Sequence, residues 1–325
     1  MQRLTSRLSR RLAGERGDAA VVLSLLLVPM LGFAAIAVDI GALYAERARL
    51  QVGADAAAIA VAQDCSRGNC GDMLATAQAL IDANDTEGTA AQPVLSSDPL
   101  SVTVTGGMPV EHWFAPVIGH DSTRVSATAT VGWGGPSGGT SVLPLTFSWC
   151  SFKAQTNGGL PSTTTLQVIK LSKTDGTGET CVGPSGNVVP GGFGFVETDA
   201  GTCEATSAIA EPLQSEPGES PPTGCDADDF AALRGQTVLL PIFDNFGGTG
   251  NGAWYRVYGY AAFRLVGYQF VGQFKTDGNK VCGPGSNGND RCVTGYFTRF
   301  VELSDAWNYN PDAPQLGASI LRLIR

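Results

Sequence analysis

A run of twenty uncharged residues, 19–38, stands out in the hydrophobic pattern near the start of the chain. A helix rises about 1.5 Å per residue, so this run spans roughly 30 Å, the hydrocarbon thickness of a bilayer. The run is longer than the roughly 7 to 15 apolar residues of a cleaved signal peptide. The pattern therefore predicts a transmembrane helix over 19–38, with the lipid bilayer as a partner.

The residues before the run predict its orientation. The leader 1–18 contains five arginines and two acidic residues, and an arginine excess favours the cytoplasmic side of the plasma membrane. We therefore expect a cytoplasmic N-terminus and an extracytoplasmic remainder. Two other export routes stay open, because 35–37 (AIA) fits a signal cleavage site and 9–11 (SRR) resembles part of a twin-arginine signal.

Helical periodicity continues beyond the run. Apolar residues from Ile40 to Val61 recur at three- and four-residue intervals among strong helix formers. One helix is therefore predicted from the membrane to about Gln63, forming a stalk. Its outer half is rich in alanine and includes Gly41 and Gly53, so it could pack against another helix or on its own domain. Both alternatives stay open.

The pattern changes period after this helix. A second helix is predicted at 72–83, and alternation at 101–105 and 125–133 predicts half-buried strands. Between the strands, the sequence HWFAPVIG at 112–119 predicts a short helix or turn that brings its aromatic residues onto the core. Residues 39–133 are thus expected to form a small helix-plus-sheet module on the stalk.

Glycine density rises after residue 133, and the segment 134–140 is predicted to be a hinge. Beyond it, 141–325 contains short strand patterns whose aromatic and β-branched content favours an antiparallel sandwich or barrel. The predicted strands are 142–149, 165–171, 237–243, 254–271, 293–303 and 319–324. The expected fold class is α+β: a transmembrane and stalk helix, a small module, and a β-rich disulfide-bonded domain.

Charge and cysteine content narrow the possible partners. The net charge of −9 at pH 7 argues against nucleic acid as a partner. All eight cysteines follow the apolar run, and an even number on an oxidising side predicts disulfides. Eight cysteines allow about a hundred pairings. Proximity in sequence favours Cys65 with Cys70, Cys150 with Cys181, Cys203 with Cys225, and Cys282 with Cys292.

Metal binding has little support in the sequence. His112 and His120 are the two histidines of the chain, and the cysteine spacings suit no zinc pattern. Acidic segments at 175–176, 277–279 and 244–251 could bind calcium through oxygen atoms, but their composition is first that of turns. No metal or other cofactor is expected.

Catalytic motifs occur only as chance matches. The G-x-S-x-G match at 135–139 lies in the predicted linker, and the G-x-G-x-x-G match at 283–288 has no helix after it. A hydrolase that uses His112 or His120 is an alternative that no other residue supports. The chain is therefore not expected to be an enzyme.

A recognisable set of residues surrounds the apolar run. The set comprises Arg16-Gly17, Gly32-Phe33, Asp39 with Gly41, Tyr44, Arg49-Leu50-Gln51 and the helix Ala54-Asp55-Ala56-Ala57-Ala58. Through these features, residues 16–63 resemble the N-terminal region of the TadE/TadG-like proteins of the Flp (Tad) pilus-assembly system. The resemblance implies a bacterial envelope protein, anchored by one helix, whose partners are other pilus-assembly or envelope proteins. It implies no catalytic activity.

Two departures from related proteins limit what the resemblance implies. Longer TadG-type proteins carry a von Willebrand A domain with a D-x-S-x-S loop, which this sequence lacks, so its β-rich half is expected to be a different domain. Type IV-like prepilins resemble one another in a glutamate at the fifth position after a cleaved glycine. Here that position is Ala19 after Gly14, or Val22 after Gly17. A pilin subunit is therefore not expected.

The leading hypothesis is a non-enzymatic, single-pass envelope protein that takes part in pilus assembly or anchoring and in surface adhesion. The alternative is a secreted or anchored binding module unrelated to pili. Its glycan or surface platform would consist of Trp254, Tyr255, Tyr258 and Tyr260.

Overall fold

A computed structural model describes the backbone of residues 2–171, 179–276, 281–302 and 306–324, with side chains from residue 20 onward. The turns at 175–176 and 277–279, and the end of the predicted strand 293–303, lie outside the described residues. The chain divides into two compact units. Unit 1 comprises Met1–Ala58, Met73–Pro93 and Thr103–Ala129, and unit 2 comprises Ile59–Asp72, Val94–Val102 and Thr130–Arg325.

The helices and strands of the described residues make the chain α+β, as predicted. The α-helices are Gln2–Ser66 (α1), Met73–Asp82 (α2), Trp149–Thr156 (α3) and Ala227–Ala232 (α4), with 3-10 helices at Ala115–Ile118 and Gly250–Gly252. Strands β1 to β17 are Thr89–Ala90, Val94–Ser97, Leu100–Glu111, Ser122–Ser141, Leu145–Ser148, Gln167–Lys170, Thr180–Val182, Val188–Pro190, Phe193–Phe195, Ala205–Ala208, Pro212–Gln214, Thr237–Gly247, Trp254–Gln269, Cys292–Thr298, Phe300–Glu302, Trp307–Asn310 and Ala318–Ile324.

The long N-terminal helix is continuous. Helix α1 includes the apolar run, passes through Pro29 and ends at Ser66, close to the predicted end at Gln63. Beyond the apolar run, its alanine-rich side is fully buried at Ala54 and Ala57. Of the two uses predicted for this surface, the structure therefore shows packing on the protein itself.

The core of unit 1 forms around Ile81 of α2. Ile81 and Leu50 of α1 are both fully buried. A Cβ atom at Gly88 would lie 2.7 Å from Cγ2 of Ile81, and one at Gly106 in β3 would lie 2.9 Å from its Cδ1. Glycine at these positions therefore allows the helix and the strands to approach closely. Antiparallel pairing of β1 with β3 closes this part of unit 1.

Unit 2 contains a seven-stranded sheet in the order β6-β14-β13-β12-β5-β9, with β11 paired to β13. Its core includes the fully buried rings of Phe147, Phe193, Phe263 and Phe297. Most pairs are antiparallel, as predicted, whereas β5 with β12 and β15 with β17 are parallel. The β-rich character of this half of the chain is thus confirmed.

The prediction of a hinge at 134–140 is wrong, because the segment lies within the continuous strand β4. Residues of this segment pair with β10, β16 and β17. A Cβ atom at Gly134 would lie 2.7 Å from the carbonyl oxygen of Asn310, and one at Gly139 would lie 2.6 Å from Cε3 of Trp307. The glycines therefore provide room for neighbouring chain segments, and they do not provide a flexible joint.

Candidate functional site

The apolar run forms the first part of the candidate site. Among the described residues, one helix is long and apolar enough to cross a membrane. Its most apolar window has a mean hydropathy of 2.6, and none of that window is buried inside the protein. The segment fits a membrane span in length and composition, because its side chains have lipid as a suitable environment.

Asp39 directly follows this run and is only 6% exposed. Its Oδ1 accepts a hydrogen bond from the Trp113 N–H at 2.8 Å, and its Oδ2 accepts one from the Ala115 N–H at 2.8 Å. The Phe114 N–H lies 3.3 and 3.2 Å from the two oxygens. A 3-10 helix begins at Ala115. The first N–H groups of a helix have no partner within it, so this carboxylate satisfies them.

The surroundings of Asp39 favour its charged form. Burial opposes ionisation, but the N–H groups of Trp113, Ala115 and Phe114 and the nearby His112 lower the pKa of Asp39 below its ordinary value. The carboxylate is therefore ionised at neutral pH, and its hydrogen bonds are charge-assisted. His112 is itself held by the hydroxyl of Thr123, with 2.8 Å between Nε2 and Oγ1.

The prediction that HWFAPVIG brings its aromatic residues onto the core is wrong. Trp113 is 78% exposed, Phe114 47%, Val117 90% and Ile118 75%. The physical reason is that this loop uses its backbone to bind Asp39, which leaves the side chains directed outward. We call these four residues the apolar tip. Four exposed apolar side chains within six residues form a candidate interaction surface.

All eight cysteines form disulfides, as the sequence predicts. The bonds join Cys65 to Cys70, Cys150 to Cys181, Cys203 to Cys225, and Cys282 to Cys292. These are the pairs that proximity in sequence favours. The first bond joins Cys65, in the last turn of α1, to Cys70 in the segment that follows the helix, and the other three lie in the β-rich part of unit 2.

Two of the other candidate metal and catalytic residues, Asp244 and His112, bind neighbouring hydroxyl groups. Asp244 in the segment 244–251 is buried, and its Oδ2 accepts hydrogen bonds from the backbone N–H and the hydroxyl of Ser185. His112 binds Thr123, whereas His120 is exposed. Within the described ranges, no group of three or more His, Cys, Asp or Glu side chains could hold a metal ion.

The aromatic residues of β13 do not share one exposed surface. Tyr260 is fully buried, and its hydroxyl lies 2.9 Å from Oγ of Ser207. Burial raises the pKa of Tyr260, so its hydroxyl remains protonated. Tyr255 packs against Phe243 with 4.6 Å between ring centroids. The predicted platform of Trp254, Tyr255, Tyr258 and Tyr260 is therefore mostly a set of packing contacts.

An apolar N-terminal helix joined to a disulfide-bonded β-rich unit fits the class of single-pass membrane proteins. Residues 17–64 of the chain match the family described as "Putative Flp pilus-assembly TadE/G-like". The matched segment lies within α1 and includes both the apolar run and Asp39. The resemblance of the N-terminal region is thus confirmed. No curated protein and no solved structure matches the chain.

Proposed function

We propose that this chain is a non-enzymatic, single-pass envelope protein of the TadE/TadG-like type that takes part in assembling or anchoring a Flp/Tad pilus, and through it in surface adhesion. The match over residues 17–64 carries the proposal. Its supporting feature is the membrane-compatible helix in which the matched residues lie. Proteins of pilus assembly or of the envelope are the expected partners, whereas nucleic acid is not.

The proposed orientation places the leader 1–18 in the cytoplasm and residues after 38 outside the plasma membrane. The arginine excess of the leader supports this orientation. The four disulfides support it as well, because such bonds form and persist in oxidising compartments. All eight cysteines follow the span, so one orientation accounts for both observations.

Gene deletion and complementation test this proposal. In a bacterium that encodes the chain and makes the pilus, deletion should abolish pili and surface attachment, and the full chain should restore both. A secreted form would carry residues 39–325 behind a cleavable secretion signal, so that the outer part is exported without an anchor. We expect it to fail, provided that immunoblotting shows it at the same level.

Each arm of this experiment can contradict one part of the proposal. Unchanged pili and attachment after deletion would remove the pilus role. Full rescue by the secreted form would show that anchoring is not needed and would favour the secreted binding module.

A further inference from the structure

We propose that the apolar tip (Trp113, Phe114, Val117 and Ile118) inserts into the outer interface of the same bilayer that residues 19–38 cross. The loop would then be a second membrane contact of the outer module, beside the helix itself. The inference rests on the proposed membrane span, and it is independent of any role in pili.

The position of the loop along α1 carries this inference. Asp39 is the first residue after the apolar run, and its carboxylate holds the backbone N–H groups of residues 113–115 at 2.8 to 3.3 Å. These bonds place the loop backbone level with the outer end of the predicted span. Side chains that leave the backbone there are within reach of the membrane boundary.

The chemistry of the tip fits that boundary. Trp113 is 78% exposed and Val117 90% exposed. Tryptophan favours the bilayer interface, because its ring is apolar and its N–H is polar. Aliphatic side chains reach further into the acyl region. In water these four side chains would remain exposed, whereas lipid would cover them.

The charges next to the apolar tip argue against an electrostatic contact with lipid headgroups. The flanking residues are Glu111 and His112 on one side and His120 and Asp121 on the other, so there is no excess of basic side chains. Attraction to anionic headgroups is therefore not the basis of the contact, and insertion should persist at high salt.

Quenching of tryptophan fluorescence by lipid tests the inference. The full chain would be placed in nanodiscs of phosphatidylcholine, either plain or brominated on the upper acyl chain, where bromine quenches nearby tryptophan. The chain has five tryptophans. Subtracting the emission of a Trp113→Phe variant isolates the Trp113 signal, and the other four tryptophans cancel. We expect brominated lipid to reduce this difference signal by about half or more, equally at low and high salt.

A Trp254→Phe variant is the matched control, because Trp254 is only half-buried and lies in β13 of unit 2. Brominated lipid should reduce the emission of this variant by the same absolute amount as that of the unchanged chain. Equal Trp113 emission in the two kinds of nanodisc would overturn the inference and would indicate that something other than lipid covers the tip. Such a result would leave the pilus proposal intact, since the chain would still be anchored in the nanodisc.

A second variant tests whether Asp39 sets the position of the tip. Asp39→Asn removes the charge that binds three consecutive N–H groups. Amide hydrogen exchange at residues 113–115 should then accelerate by roughly tenfold or more, with weaker quenching of Trp113. Glu46→Gln is the control, because Glu46 pairs on the surface with Arg49. Unchanged exchange and quenching in Asp39→Asn would show that the tip is positioned by other contacts, which would overturn the argument from its place along α1.

Discussion

Gly134 and Asp39 show how strongly the role of a single residue depends on its neighbours. Gly134 belongs to a glycine-rich stretch that is typical of a linker, yet it is buried in β4 against Asn310 and Tyr309. Asp39 is a charge at the end of an apolar run, yet it is buried and fully used by backbone donors. Neither role can be recognised from the local sequence, because the contacting groups are 70 or more residues away.

Gly134→Ala should destabilise unit 2. The added Cβ atom would lie 2.7 Å from the Asn310 carbonyl oxygen and 2.9 Å from Cα of Pro311, so the backbone must shift. Overpacking of this kind costs about 1 to 3 kcal/mol in the free energy of unfolding. Thermal or urea unfolding in detergent micelles would measure the loss.

Gly252→Ala is the matched control, because nothing lies within 4 Å of a Cβ atom there. Its effect should stay within about 0.5 kcal/mol. Equal stability of the two variants would contradict close packing at Gly134 and would favour the predicted hinge over 134–140.

At the scale of elements, α1 combines two environments in one continuous helix. Residues 20–38 are almost all exposed, whereas Leu50 and Ala54 are fully buried. The start of helix α3 is not predicted from the sequence, because the strand pattern over 142–149 extends to Trp149, the first residue of the helix. There, the Ser148 hydroxyl accepts a hydrogen bond from the Cys150 N–H at 3.0 Å, which caps the helix and ends β5.

Leu50→Ala should be strongly destabilising, whereas Val52→Ala should not. Leu50 is fully buried in the core of unit 1, but Val52, two residues further along the same helix, is 58% exposed. Loss of a buried leucine side chain costs about 2 to 5 kcal/mol, and an exposed substitution stays within about 0.5 kcal/mol. The midpoints of urea unfolding would give both values. Similar losses in the two variants would mean that Val52 is also covered, by a partner or by a second copy.

For the whole molecule, the four disulfides join cysteines that are between 5 and 31 residues apart in sequence. Cys65 and Cys70 are 5 residues apart, and Cys150 and Cys181 are 31 residues apart. In the chain-entropy account, a crosslink that closes a longer loop restricts the unfolded chain more. The bond of Cys150 with Cys181 should therefore contribute more to stability.

Removing these two disulfides separately tests that expectation. The double substitution of Cys150 and Cys181 by alanine should cost about 3.5 kcal/mol, and that of Cys65 and Cys70 about 2 kcal/mol. Unfolding of each purified variant under identical oxidising conditions would provide the comparison. A larger loss for the Cys65 and Cys70 pair would show that folded-state packing, and not loop closure, determines the contribution of these bonds.

Sequence patterns that are confined to one segment predict the corresponding helices and strands well. The apolar run, the continuation of α1, the helix near 72–83 and the long strands β12 and β13 all follow from local periodicity. The pattern does not predict the short strands β1, β2, β7 to β11 and β16, because strands of two to four residues show too few alternations to be recognised. The even number of cysteines predicts that all eight are bonded, and proximity in sequence favours the observed pairs without excluding other pairings.

The sequence by itself determined the membrane-compatible helix, the resemblance of residues 17–64 to a known family and the α+β class, because each depends on the order of residues within one stretch of chain. Only the tertiary structure decided that 134–140 is a packed strand and that HWFAPVIG directs its side chains outward. Both outcomes depend on contacts between distant residues: the segment around Asn310 fills the space beside Gly134, and Asp39 takes the loop's N–H groups. Such competition for space and for hydrogen bonds is settled only when the chain has folded.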